Sequence, residues 1–302
     1  MSNIIETVSL TKQYGTSRGI NGITFSVEEG DVFGFLGPNG AGKSTTIRLL
    51  MGLLRPSNGS AKIAGLDCWA QSTAVKRVVG YLPGEFNVDA AMTGAQVIAY
   101  LGNLSGGVDQ AYVKQLVERL ELDPSKRFRD YSRGNKQKVG LIQAFMHRPR
   151  LLILDEPTGG LDPLNQQEFY ILVAEAKASG STIFLSSHIL PEVEHTCDRV
   201  GIIREGELVK VDHVSTLKEI RHHVVEVGFA ERASPEWFGA LPNVSDVKII
   251  NDGTTVQFTV QDDLSQVIQI AAQHHAISMV TRQPSLEEVF LRYYEPVPVG
   301  TV

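Results

Sequence analysis

Residues Gly37, Gly42, Lys43 and Ser44 fill the spacing G-x-x-x-x-G-K-[S/T] within the run Gly37, Pro38, Asn39, Gly40, Ala41, Gly42, Lys43, Ser44, Thr45. A loop so rich in glycine can curl until successive backbone N–H groups point inward, and a helix behind it adds partial positive charge. That arrangement suits the phosphates of a nucleoside triphosphate. Lys43 is placed to reach the β- and γ-oxygens, and the Ser44 hydroxyl to ligate Mg2+. Farther along, the apolar run Leu151 to Leu154 ends in two carboxylates, Asp155 and Glu156. Beside a phosphate loop, Asp155 can hold Mg2+ opposite Ser44, and Glu156 can orient the attacking water in line with the γ-phosphate.

Two further candidates complete this chemistry. His188 follows the apolar stretch Thr182 to Ser186. The C-terminal end of a strand is where ligands sit in open α/β sheets, so its imidazole can reach the γ-phosphate. The segment Tyr131 to Gln137 places Ser132 as an N-cap and Gly134 where backbone must approach closely. A helix that starts in this way is a second anion site. Since the phosphate loop already holds the phosphates from one side, the second site suggests two copies clasping each nucleotide from opposite sides.

The elements that must position these groups alternate along the chain. Asp31 to Leu36 reads as a buried strand before the loop, and Ile47 to Met51 as the helix after it. Ile4 to Leu10 and Gly22 to Val27 read as earlier strands, and Tyr14 between them could fold over the nucleotide. Ala61 to Gly65 and Val78 to Pro83 are further strand candidates. Thr93 with Gln96 makes a capping-box pair ahead of the stripe Val97, Tyr100, Leu101 and Leu104. The stretch from about 85 to 147 therefore reads as a helical insertion. Leu151 to Leu154 is too short for a helix and reads as a strand buried on both faces, followed by a helix over Pro163 to Lys177. The fold class is α/β with a mainly parallel sheet, N-terminal antiparallel strands and a helical subdomain. Residues 1–220 form this nucleotide-binding domain. Residues 221–302 read β-α-β-β-α-β, with a hairpin at Asn251-Asp252-Gly253, which suggests a small ferredoxin-like α+β domain.

Composition narrows the setting. A net charge of −6 supplies no basic field for nucleic acid. No apolar run approaches the ~18 residues of a membrane span, and the beginning lacks a basic-then-apolar leader. The two cysteines, Cys68 and Cys197, match no metal spacing and suit buried thiols of a reducing cytosol.

The order phosphate loop, Ser132-x-Gly134-x-x-Gln137 helix, Asp155-Glu156 strand end, Gly160-Leu161-Asp162 and strand-end His188 resembles the ATP-binding cassette ATPases over residues 1 to about 220. The resemblance implies a head-to-tail dimer sandwiching two ATP, with Ser132, Gly134 and Gln137 meeting the nucleotide held by the partner. It implies that Tyr14 stacks on adenine, that Asp162 links the two sites, and that Glu156 is the catalytic base. It further implies an integral membrane permease in trans and a position on the cytoplasmic face of the cell membrane. The variant Ser132-Arg133-Gly134 and the run Ser285 to Phe290 resemble the branch serving drug, antibiotic and lipid exporters with separate permeases. One departure stands out: Gly84 occupies the place of the family's usual Gln, a ligand to Mg2+. Glu85 beside it is the expected substitute carboxylate. The alternatives are a soluble cassette protein regulating a non-transport process and a nucleotide-gated regulator with little turnover. A GTPase is disfavoured, because Asn135 to Lys138 lacks the Asp of a guanine-reading Asn-Lys-x-Asp motif.

Overall fold

The structure, a computed structural model, describes residues 2–15, 17–218, 222–261 and 263–282. It divides into two compact units, 1–214 and 215–302. The first unit opens with β1 (Asn3–Tyr14), β2 (Ser17–Glu28) and β3 (Val32–Leu36), then α1 (Lys43–Leu50). Next come β4 (Asn58–Ile63), β5 (Leu66–Asp67), α2 (Ser72–Val78) and β6 (Val79–Leu82). Helices α3 (Gly94–Leu104), α4 (Gln110–Arg119) and α5 (Arg133–Phe145) form the expected insertion. The unit ends with β7 (Leu151–Asp155), α6 (Pro163–Ala178), β8 (Thr182–Ser187), α7 (Leu190–Thr196), β9 (Arg199–Arg204) and β10 (Glu207–His213).

Its main sheet has the order β10-β9-β3-β8-β7-β6. The β3–β8, β3–β9, β6–β7 and β7–β8 pairs are parallel, and β10 adds an antiparallel edge. The strand pair β9–β10 was not foreseen from sequence. All residues of β3, β7 and β8 are buried, as expected of strands covered on both faces. A second, antiparallel sheet runs β2-β1-β4-β5. The two sheets meet on aromatic rings: Phe25 of β2 stacks on Phe33, Phe35 and Phe184, with centroids 5.5, 5.6 and 6.0 Å away. The flat run of β7 and the rings of β3 and β8 thus form the dry layer from which the strand ends emerge.

The insertion is built from local signals. The capping box at α3 forms as predicted, with Gln96 N donating to Thr93 Oγ1 at 3.2 Å and Thr93 N to Gln96 Oε1 at 2.8 Å. Arg119 at the end of α4 grips Glu175 of α6 with two N–H···O bonds of 2.6 and 3.1 Å, tying the insertion to the sheet's own helix.

A short helix α8 (Val214–Lys218) leads to the second unit: β11 (His222–Gly228), α9 (Glu236–Gly239), β12 (Val244–Ile250), β13 (Thr255–Gln261), α10 (Ser265–Gln273) and β14 (Ser278–Arg282). Its strands are antiparallel in the order β12-β13-β11-β14, the ferredoxin-like arrangement that the element order implies. The turn Asn251-Asp252-Gly253 joins β12 to β13 with positive φ at all three residues. Phe238 of α9 stacks on Phe258 of β13 at 4.5 Å and anchors a separate core. The run Ser285 to Phe290 lies outside the described residues.

Phe184 is fully buried among the other rings of the inter-sheet stack. Phe184→Ala is expected to cost about 3–5 kcal/mol in a denaturant titration of the first unit's signal. A loss under about 1 kcal/mol would show that this stack does not hold the two sheets together.

Candidate functional site

Parallel register brings the candidate residues to one edge. Leu36 pairs with Ser187, and Asp155 with Ser186, so β3, β7 and β8 end side by side. The residues that follow them are Gly37, Glu156 and His188. Gly37 N donates to Ser187 O at 3.2 Å and fixes the start of the phosphate loop against β8. Ala41 N donates to Pro38 O, and Gly206 N to Ala41 O, which closes the loop and ties it to the β9–β10 turn. Pro38, Asn39 and Gly40 are exposed, whereas Gly42, Ser44 and Thr45 are half-buried. Gly42 caps α1 at φ 111°, and a Cβ there would lie 2.6 Å from Ile20 Cγ2. Only glycine meets both conditions.

Lys43 is 6% exposed and Glu156 24% exposed, and they form an ion pair of 3.1 Å. The Lys43 ammonium also donates to Gly37 O at 2.6 Å and Pro38 O at 3.2 Å. The other Glu156 oxygen, Oε2, lies 2.6 Å from His188 Nδ1. One carboxylate is thereby shared between an ammonium inside the loop and an imidazole at the rim. Glu156 sits at φ 51°, a left-handed conformation unusual for a residue other than glycine. Several bonds hold it there. Its N–H faces Ser186 O and Ser186 Oγ, each at 3.2 Å. Its carbonyl accepts from Gly159 N at 3.1 Å and from Gln137 Nε2 at 3.1 Å.

Asp155 is buried and accepts from Ser186 Oγ at 2.5 Å through Oδ1. Its Oδ2 faces Gly84, where a Cβ would stand 3.1 Å from that oxygen. The loop after β6 therefore meets Asp155 with backbone. Glu85 is exposed and makes no hydrogen bond or ion pair among the described residues. No cluster of three His, Cys, Asp or Glu side chains suited to a metal occurs among the described residues. The oxygen donors at hand are the Ser44 hydroxyl and Asp155, a hard set that fits Mg2+ only together with ligand and water oxygens.

The helix start expected as a second anion site shares no bond with the phosphate loop among the described residues. Ser132 is exposed and accepts from Asn135 N at 3.2 Å as N-cap of α5. Gly134 packs on the turn after Glu156, where a Cβ would meet Gly160 O at 2.5 Å. No hydrogen bond or ion pair joins Ser132 or Gly134 to residues 37–45 among the described residues. Gln137, expected among the nucleotide-binding residues, is buried, and its amide nitrogen is committed to Glu156 O and Pro157 O at 3.1 and 2.9 Å. Helical phase turns it inward, so it braces the Glu156 turn. Asp162 caps α6 by accepting from Asn165 N at 3.0 Å and Nδ2 at 2.7 Å, bonds that hold its carboxyl below the usual range. Tyr14 ends β1 at 38% exposure, with the Lys12 ammonium 5.5 Å above its ring. Ser186, Ser187 and the buried acid Glu192 also belong to this edge. Sequence reading passed over them, although an acid in the first turn after His188 was a visible signal.

Comparison with known proteins agrees with this geometry. A family profile described as ABC transporter matches residues 20–159. The bacitracin transport ATP-binding protein BcrA of Bacillus licheniformis is 37% identical over 235 residues, 77% of each chain. The linearmycin resistance ATP-binding protein LnrL of Bacillus subtilis (strain 168) is 30% identical over 304 residues, 95% of this chain and 97% of the relative. A solved ATP-binding subunit of an ABC transporter superposes with a TM-score of 0.66 at 30% identity, covering 71% of this chain and 92% of that one. Likeness of this extent makes the chain a member of the ABC transporter family and an ATP-hydrolysing subunit within it.

Proposed function

We propose that two copies of this chain close head to tail on two ATP–Mg2+ and so drive a separate membrane permease that exports drugs, antibiotics or lipids. The observation that carries the hydrolytic part is the contact chain Lys43–Glu156–His188 at the C-terminal ends of the parallel strands. Lys43 moves its charge from Glu156 to the β- and γ-oxygens when ATP binds. Glu156 is then released to accept hydrogen bonds from the attacking water. His188 keeps Glu156 oriented and reaches the γ-phosphate from the rim. Ser44 and Asp155 are the protein donors to Mg2+, with Glu85 added from the rim of the Gly84 loop. Bound Mg2+ supplies neutralisation of the charge on the phosphate oxygens.

The dimer is supported by the exposed position of Ser132 at the start of α5, which caps its own helix and shares no bond with its own phosphate loop. Ser132 and Gly134 of each copy serve the γ-phosphate of the other, Tyr14 stacks on adenine, and Asp162 marks the line between the two sites. The exposed Tyr100 and Leu104 of α3 fit the side that meets the permease. No helix among the described residues is long and apolar enough to cross a membrane. On this reading the permease is a separate partner, met at the cytoplasmic face. Export is favoured by the names of the relatives, which concern bacitracin transport and linearmycin resistance. No observation favours nucleic acid or a non-transport role.

The composite site has a direct test. Lys43→Ala and Gly134→Ala should each abolish hydrolysis alone, while a mixture of the two regains activity, because one intact site forms in the mixed dimer. A mixture as inactive as its components would refute the shared site. For Glu156→Gln we expect kcat to fall by about a hundredfold or more, with ATP binding retained and ATP-dependent self-association visible by light scattering. Hydrolysis at the wild-type rate would remove Glu156 as the base. Glu85→Ala is expected to raise the Mg2+ concentration for half-maximal activity by about threefold. An unchanged rate and an unchanged Mg2+ dependence would take Glu85 out of the donor set.

A further inference from the structure

Behind the Glu156–His188 pair lies an acid that hydrolysis, as described above, leaves unused. Glu192 is in the first turn of α7 and is 1% exposed. Its Oε2 accepts a short hydrogen bond from Ser187 Oγ. That same hydroxyl accepts from Ile189 N at 2.9 Å, and so closes the turn on which His188 stands. The Ser187 carbonyl, on the other side, accepts from Gly37 N at the start of the phosphate loop. Glu192 Oε1 is buried without a well-formed hydrogen bond, although the Thr158 hydroxyl is close enough to lower the acid's pKa. Thr158 is itself buried within the turn that follows Glu156, and its carbonyl accepts from Leu161 N at 3.0 Å. A buried acid with one poorly partnered oxygen costs stability, and an apolar side chain of similar size would pack there more favourably. Packing alone gives no reason for a carboxyl at this position.

We propose that Glu192 is a positioning residue for ATP hydrolysis, a clamp that grips Ser187 on one side and faces Thr158 on the other. It thereby holds the turn carrying His188 in register with the turn carrying Glu156. The proposal rests on Glu156 as the carboxylate that orients the water. Two groups from the site face the clamp, Glu156 and His188, and two others sense its charge: Tyr170 on α6 and Cys197 after α7. Burial, with Glu156 adding, pushes the Glu192 carboxyl up to about 7, while Ser187, Thr158 and His188 pull it down. The clamp therefore changes between acid and carboxylate near neutral pH. Its folded value lies above its ordinary value of 4.5, so the folded protein holds the extra proton between those limits. Its contribution to stability accordingly falls as pH rises through that window and is level above it.

The test uses the full chain with Glu192→Leu and Glu192→Gln, and Glu156→Gln as control. Glu192→Leu should melt at or above the wild-type temperature at pH 8 and keep KM for ATP within about twofold, yet lose kcat by about tenfold or more. Glu192→Gln, which keeps an acceptor for Ser187, should restore kcat to within about threefold at pH 6. Its melting temperature should gain on the wild type between pH 5 and 8, and its kcat profile should lack the wild-type inflexion near 7. Wild-type kcat in Glu192→Leu, or equal losses in both variants, would overturn the clamp. Should the Leu variant fail to fold, superimposable pH profiles for wild type and Glu192→Gln would overturn it. Hydrolysis surviving in Glu156→Gln would instead overturn the reading of Glu156. A silent Glu156→Gln beside a fully active Glu192→Leu would sink the clamp alone.

Discussion

A single carboxylate shared between Lys43 and His188 sets the terms for the rest of the nucleotide-binding unit. Ion pairs this well shielded return little net stability, because desolvating both charges offsets most of their attraction. Leaving one charge behind without the other costs much more. The Lys43–Glu156 pair is therefore poorly explained as a fold stabiliser and well explained as a pair of groups held for use. Its position demands that three strands end level with each other, that β7 be dry on both faces until Asp155, and that the chain turn sharply immediately afterwards. The left-handed backbone at Glu156 is the local cost of that turn, of order 1–3 kcal/mol. It persists because Gln137, Gly159 and Ser186 bond the peptide on both sides.

The two serines that end β8 explain why this edge is rigid. Strand alternation sends neighbouring side chains to opposite faces of a sheet. Ser186 faces β7 and holds Asp155, whereas Ser187 turns to the other side and meets Glu192. Their carbonyls are equally divided, Ser186 O going to Glu156 N and Ser187 O to Gly37 N. Two adjacent residues thus fix Asp155, Glu156, the phosphate loop and the His188 turn. A hydroxyl suits both tasks because it donates and accepts within one small group.

Features whose physics is local were legible in the sequence. The phosphate loop is written in its glycines, β7 in four consecutive apolar residues, and the start of α3 in the Thr93–Gln96 pair. The second unit was legible because its element order admits few sheet topologies. What escaped was set by tertiary phase. The direction of Gln137 depends on which face of α5 meets the Glu156 turn, and an isolated signature cannot state that. Strand β9 begins with Arg199, ahead of the short apolar run Val200 to Ile203, and only the fold supplies its acidic neighbour Asp31, at 3.1 Å. Glu192 reads as one more surface acid on a short helix until β8 is seen to bury it.

Gly84 shows how a departure from a family pattern can be absorbed. With no side chain there, the backbone of the loop lies directly against Asp155 Oδ2. The chain then runs through Glu85 to Phe86, whose ring meets the place where a Cβ on Gly140 of α5 would stand, 3.2 Å from Phe86 Cγ. On its other side the Phe86 ring packs edge-on against Phe128 at 5.9 Å, and Phe128 meets Tyr131 at 6.2 Å, immediately before Ser132. Contact is therefore continuous from Asp155, through the glycine loop, to the start of α5 at Ser132. Here the loop meets Asp155 with main chain and α5 with the Phe86 ring. The contacts that lead from Asp155 to α5 need no side chain at position 84.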